Sequence, residues 1–245
     1  YYDNNLRGGL NMLEAMRTAG CKTIIFSSTS AVYGYPPRVP VTEEEPILPV
    51  SVYGSSKRMV EEMIEWYGKI YGIRSVSLRY FNAAGAMPDG SLGEAHTHES
   101  HIIPIALDVA VGKRDSFEVY GNDYGTPDGT CIRDYIHVVD LADAHIKAAQ
   151  YLAKESASVA LNLGVGKGYS NLEVLDTVER VTGKLVKRSF GPRRPGDPAK
   201  LWADNKKAKE VLGWEPQYPD LETIVNTAWM WHKNREAVRA TRLVS

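Results

Sequence analysis

Only two cysteines, Cys21 and Cys131, stand in 245 residues, and their spacing matches no pair-of-pairs pattern. A disulfide framework and a cysteine-ligated zinc site are therefore not expected, and a reducing, cytoplasmic setting is. Charge of one sign is missing too: 29 basic residues face 30 acidic ones, for a net charge of -1. With no long block of like charge, neither a nucleic-acid arm nor a polybasic membrane patch is predicted. The apolar runs are too short to cross a bilayer, and there is no signal-peptide pattern. What remains is a chain long enough for one large core or two smaller ones, with a small molecule as the default partner. It opens on "YYDNNLRGGLNML", without methionine and already at a helix start, which suggests part of a protein.

The periodicities predict alternating helices and strands. Leu6, Leu10, Leu13 and Met16 recur near helical spacing over 5–19, with Asn4 or Asn5 as a cap and Gly20 just beyond. "KTIIFSS" reads as a buried strand, a proline-punctuated stretch runs from Pro36 to Pro49, and an amphipathic helix then leads to the strand "SVSLRYFN". This is the rhythm of a doubly wound parallel sheet. After Asn82 comes a glycine-rich loop with three histidines. Strands are expected at "FEVYG", "RDYIHV", "ALNLG" and "LVKRSF", and helices near 102–111, 140–153, 171–182, 205–212 and 221–235. A second part is expected from Ala83 onward, with 130–155 packing back on the first.

Several stretches can carry chemistry, each with a plainer reading. In "FSSTSAVYG", Ser27, Ser28 and Thr29 end a strand, where ligands of open parallel sheets sit, although such hydroxyls also cap loops. "LGVGKGYSNLEV" follows a strand and precedes a helix, but Tyr169 stands where a dinucleotide turn needs glycine, so it reads as an ordinary turn. His96, His98 and His101 in "EAHTHESH" are irregularly spaced, which favours solvated or substrate-facing rings over a metal site. In "FGPRRPGD", Arg193, Arg194 and Asp197 sit between prolines, and arginine forks suit phosphate oxygens. Arg133 lies within an apolar stretch and needs an acid or an anionic ligand. Tyr53 and Lys57, four apart in "VYGSSKRMVEE", share a helix face. With 14 tyrosines, about one such pair arises by chance, so spacing alone leaves the pair undecided.

Taken in order, "YYDNN", "FSSTSAVYG", "YGSSK", "LRYFNAAGA", "VYGNDYGTPDGTCIRDYIHVVDLADAH", "NLGVGKGYS", "PRRPGD" and "WADNKKAKEVLGW" resemble the extended short-chain dehydrogenase/reductases, nearly end to end. Within them the resemblance is to the branch that inverts UDP-sugars at carbon 4. It implies an α/β chain: 1–82 as the C-terminal part of an NAD-binding Rossmann domain, and 83–245 as a smaller mixed α/β, mainly UDP-sugar-binding domain. It implies interconversion of UDP-galactose and UDP-glucose through a transient 4-keto sugar, with NAD as cofactor; epimerisation of another UDP-sugar, an N-acetylhexosamine, uronic acid or pentose, is the alternative. Tyr53, Lys57 and Thr29 fall on the family's catalytic positions, and Lys57 also on the nicotinamide ribose. Ser27, Ser28 and Tyr80 fall beside the cofactor. Asn4, Thr29, Asn82, His101, Tyr120, Arg133, Arg194, Asp197 and Leu201 fall on positions around the UDP-sugar. A phenol of pKa near 10 is ionised about one part in a thousand at pH 7, so it needs a cation nearby to act as base.

Two further expectations follow from the resemblance. The family's opening strand and glycine-rich turn, roughly ninety residues before "YYDNN", are absent, so the chain alone is expected to bind NAD poorly, to expose sheet edge and to be inactive. Related dehydratases carry an Asp-Glu pair where Ser30 and Ala31 stand here, which ranks epimerisation ahead of loss of water. A non-catalytic fragment is the rival from another class. The resemblance also implies a homodimer, with Val60, Met63 and Ile64 as residues for its face or for the core.

Overall fold

The computed structural model describes residues 1–154 and 157–244, with side chains through residue 235. In chain order the elements are α1 (Gly8–Ala19), β1 (Thr23–Thr29), α2 (Val52–Tyr71), β2 (Arg74–Tyr80), β3 (Asn82–Ala84), α3 (Ile102–Ala110), β4 (Phe117–Tyr120) and β5 (Ile132–His137). There follow α4 (Val138–Lys154), β6 (Val159–Leu163), β7 (Gly168–Ser170), α5 (Asn171–Thr182), β8 (Arg188–Gly191), α6 (Lys206–Leu212) and α7 (Leu221–Val244). The chain divides into two compact units, one of residues 1–81, 142–166 and 201–215, the other of 82–141, 167–200 and 216–245.

In the first unit β1, β2 and β6 form a parallel sheet in the order β1-β2-β6. The register pairs Thr29 with Tyr80 and Tyr80 with Leu163, so all three strands end at one level. Among the described residues β1 pairs only with β2. Leu13, Ile24, Val60, Ile64 and Ile73 close a buried cluster, with Met63 packed on it. Val60 and Ile64 therefore serve the core, while Met63 packs against it only partly buried. The first helix also differs from expectation: a π-helical segment, Tyr2–Arg7, runs directly into α1, so Asn4 and Asn5 lie inside a turn rather than capping one. Gly20, at φ +70°, does end α1 as its spacing predicts.

The second unit holds two small sheets, β3-β5-β7 and the parallel pair β4-β8. Their apolar faces meet α3, α5 and α7 around Ile103, Leu107, Phe117, Val119, Tyr135, Leu175, Val178 and Ile224. The glycine run before α5 turns at Gly166, at φ +84°, and its last glycine, Gly168, opens the strand β7. Ser170 then caps α5 in a reciprocal box with Glu173, satisfying two backbone donors that the helix start would leave open. No described helix is long and apolar enough to cross a membrane.

Candidate active site

The first unit places Tyr53 and Lys57 through a close backbone approach. Ser51 caps α2, its hydroxyl accepting from the Gly54 N–H at 3.1 Å. A Cβ on Gly54 would stand 2.4 Å from the Ala31 carbonyl oxygen, so the first turn of α2 can lie against the loop after β1 only because residue 54 has no side chain. This brings Lys57 to the end of β1, where its Nζ donates to the Ser27 carbonyl at 3.0 Å. The same ammonium lies 5.1 Å from the Phe26 ring centre and 5.9 Å from that of Tyr53. Burial lowers the Lys57 pKa, and no carboxylate pairs with it among the described residues. A half-buried ammonium with donors to spare suits neutral hydroxyls, such as those of a nucleotide ribose. The residues present thus fit the ribose of NAD.

Burial raises the Tyr53 pKa first; a hydrogen bond with the Thr29 side chain lowers it, while Tyr80 and Tyr1 raise it again, and the net direction is up. Lys57 does not reverse this at its observed distance. The cation that the tyrosine needs is thus not supplied by the lysine alone. Thr29 is itself a helix cap, its Oγ1 accepting from the Ala31 N–H at 3.1 Å, which fixes the hydroxyl at the strand end.

The strand's alternation sorts the other expected residues. Ser27 points toward His145, with Oγ and Nε2 3.4 Å apart. Ser28 points the other way, fully buried, and donates to Glu61 Oε1 at 2.6 Å, so its hydroxyl faces α2 and not the side of the strand that Ser27 faces. Glu61 also takes a bidentate pair from Arg79 at 2.9 and 2.7 Å, and Arg58 adds a third partner. Burial pushes the Glu61 carboxyl up, but Arg79, Ser28 and Arg58 outweigh it and hold the pKa below its usual value. Sequence reading missed this network; an arginine in the buried strand β2 was its one signal. Asn4 is exposed, and it is Asn5 that reaches Ser56 Oγ, at 2.9 Å, one residue before Lys57. Leu201 packs into a buried cluster with Val32, Tyr33, Val41 and Ala203.

The second unit contains a cleft of about 640 Å³. Asn82, His101, Tyr120, Arg133, Arg194 and Asp197, six positions marked in the sequence, all line it. Leu201 does not. The Arg194 guanidinium lies 3.8 Å from the Tyr120 ring centre, a stacked cation held at the wall. Arg133 finds the acid it needs in Asp197 at 3.4 Å and donates to the Ile132 carbonyl at 2.9 Å. Asn82 Nδ2 donates to the Asp134 carbonyl at 2.7 Å, which orients its amide oxygen. Arg114, Phe117, Glu118 and Ser189 also line the cleft and were not marked beforehand. The strand "FEVYG" placed two of them, but nothing in its alternation separates a cleft wall from an exposed face. Apolar side chains with the arginines Arg114, Arg133, Arg194 and Arg235 along one cleft suit a nucleoside diphosphate.

In the first unit the Tyr53-Lys57 helix face lies against a parallel sheet ending in Thr29, and the second unit carries an arginine-lined cleft, features that suit an enzyme acting on a nucleotide-linked substrate. The chain belongs to the family described as GDP-mannose 4,6 dehydratase, which matches residues 1–227. It is 52% identical to a UDP-glucose 4-epimerase of Lacticaseibacillus casei, over 96% of this chain and 71% of that protein. Among solved structures it resembles UDP-glucose 4-epimerase from Brucella ovis in complex with NAD, at TM-score 0.90 and 48% identity, over 94% of this chain and 70% of that one. It also resembles the Bifidobacterium longum enzyme in complex with NAD+ and UDP, at TM-score 0.92 and 39% identity, over 96% of this chain and 71% of that one.

Proposed function

We propose UDP-glucose 4-epimerase chemistry for the gene product that carries this chain, interconverting UDP-galactose and UDP-glucose through a bound 4-keto sugar. The observation that carries the reading is the Tyr53-Lys57 pair set against the Thr29 end of β1, in a chain 52% identical to such an enzyme over 96% of its length. Tyr53 takes the proton from the hydroxyl at carbon 4 and returns it when the carbonyl is reduced from its other face, so no proton is consumed overall. Thr29, whose side chain acts to lower the Tyr53 pKa, relays or steadies that proton. NAD, when bound, supplies the hydride acceptor and donor at carbon 4. Lys57 holds the nicotinamide ribose, and with the cofactor's positive ring it opposes the burial that raises the Tyr53 pKa. Arg133, Arg194 and Asn82 hold the diphosphate, leaving the sugar free to turn. Ser30 and Ala31, which cannot transfer a proton at carbons 5 and 6, leave dehydration without its acid and base.

Proton NMR of the NAD-loaded gene product that carries this chain, given UDP-galactose, tests the reading. UDP-glucose should appear without net NADH; a folded, NAD-loaded protein that gives no conversion, or a 4-keto-6-deoxy product, overturns it. We place the enzyme in the cytoplasm, as a homodimer that covers the exposed apolar side chains Met59, Trp66 and Ile70 of α2 and Leu10 of α1. A monomer at micromolar concentration by light scattering contradicts that assembly.

A further inference from the structure

The loop between β3 and α3 gathers four side chains that chemistry at carbon 4 does not use. His96 Nδ1 lies 2.7 Å and His101 Nδ1 2.5 Å from the same oxygen, Glu94 Oε1. Glu99 Oε1 stands 3.2 Å from His101 Nδ1, and its other oxygen, Oε2, 3.8 Å from His96 Nδ1. One ligand atom from each of Glu94, His96, Glu99 and His101 lies within 4.8 Å of every other. Ligands about 2.1 Å from a tetrahedral zinc stand about 3.4 Å apart. The paired contacts, 2.5 to 3.8 Å, fall on both sides of that value, and no two ligand atoms of the set stand more than 4.8 Å apart, so Glu94 must draw back and Glu99 turn toward the rings to admit an ion. The irregular spacing that counts against a metal in the sequence is undone by the loop's fold.

The loop is held, not merely crowded. The Glu94 carbonyl accepts from Trp231 Nε1 at 2.7 Å and from Arg235 Nη1 at 3.2 Å, and the Gly90 carbonyl accepts from Asn234 Nδ2 at 2.9 Å. A Cβ on Gly93 would stand 2.4 Å from the Trp231 ring, so this docking on α7 requires glycine there. At the other end, Glu99 Oε1 accepts the N–H groups of Ser100 and His101 at 2.7 and 2.8 Å, which sets the carboxylate's orientation. Both rings are about half exposed, which leaves an entry path.

We propose that Glu94, His96, Glu99 and His101 form a binding site for a divalent transition metal of the zinc class. Two imidazoles and two carboxylates are a borderline donor set, better suited to zinc, cobalt or nickel than to magnesium or calcium. Four protein ligands close the coordination shell, so the ion is structural, bracing the wall of the cleft that Glu94, Glu99 and His101 line. This does not depend on the identity of the reaction.

The test is a Co2+ titration, followed by Zn2+ competition, of the metal-stripped gene product purified without a polyhistidine tag. One equivalent should bind at micromolar affinity or tighter, with the intense visible band of tetrahedral cobalt, and zinc should displace it. Glu94→Gln and His96→Ala should each weaken binding roughly a hundredfold, while His98→Ala, in the same loop but outside the cluster, should not. The absence of a saturable equivalent, a band unchanged in both ligand variants, or a thiolate charge-transfer band from a cysteine site overturns the proposal. If a variant fails to fold, 15N NMR of the zinc-loaded wild type decides: two histidines coordinated through Nδ1 support the site, and any other pattern refutes it.

Discussion

Replacing Gly54 with alanine sets two effects of opposite sign against each other. In the interior of a helix, alanine is favoured over glycine by about 1 kcal/mol. Here, however, the new Cβ would lie 2.4 Å from the Ala31 carbonyl oxygen and 2.9 Å from its carbon. Carbon and oxygen rarely approach closer than about 3.3 Å, so the start of α2 must retreat by about 1 Å. Both atoms struck are backbone, so no side chain can swing away. Overpacking of this kind costs about 1–3 kcal/mol, which outweighs the gain in propensity and should lower Tm by roughly 3 °C in a chain of this size. The catalytic effect should be larger. Tyr53 adjoins the displaced residue and Lys57 lies one turn on, and a misplacement of about 1 Å costs on the order of a hundredfold in rate. With Gly54→Ala in the NAD-loaded gene product, kcat should fall about a hundredfold while KM changes little, because the residues that line the cleft belong to the other unit. A variant with higher Tm and kcat within twofold of wild type would refute the claim that this close approach places the pair.

Tyr53→Phe should lower kcat roughly a thousandfold while UDP affinity by calorimetry stays unchanged; a tenfold loss or less would take the proton transfer away from this phenol. Arg194→Ala removes both a cation and its stacking on Tyr120, so UDP should bind at least about tenfold more weakly, and unchanged binding would remove Arg194 from the diphosphate site. Glu61→Gln should cost about 3 kcal/mol at pH 7 by leaving Arg79 buried without its partner. Because the Glu61 pKa is lower in the folded chain than in the unfolded one, its stabilisation is complete above about pH 5 and is lost as pH falls through the folded value. Denaturant midpoints of wild type and Glu61→Gln should therefore converge as the pH falls below the folded value, and a constant gap down to acid unfolding would contradict the assignment.

Periodicity made most of this fold legible, since amphipathic helices and buried strands announce themselves over ten or more residues. Helix α5 begins and ends where its serine cap and terminal glycine predict, at Asn171 and Thr182. Strand β8 was harder: "LVKRSF" has the composition of a strand, but only its last residues pair, with Arg188–Gly191 against β4. Pairing depends on a partner distant in sequence, which local composition does not encode.

The site shows the same limit more sharply. The spacing of Tyr53 and Lys57 is visible in the sequence, but what lies opposite them is not, and Gly54 between them reads as a mere helix weakness until the Ala31 carbonyl is found against it. Ser27, Ser28 and Thr29 look equivalent as a run of hydroxyls. Strand parity divides them, sending Ser28 inward to Glu61 and leaving Thr29 beside Tyr53. Glu61 in turn looks like one more charge on an amphipathic helix, yet it is buried and held by Arg79 from the neighbouring strand. The Tyr53-Lys57 face of α2 and the buried ion pair behind it are thus one construction. Tyr53 and Lys57 lie near the helix start, Glu61 lies one turn further on, and its bond to Ser28 pins the helix to the residue beside Thr29. A substitution that cuts that bond should therefore disturb the proton transfer without touching the substrate.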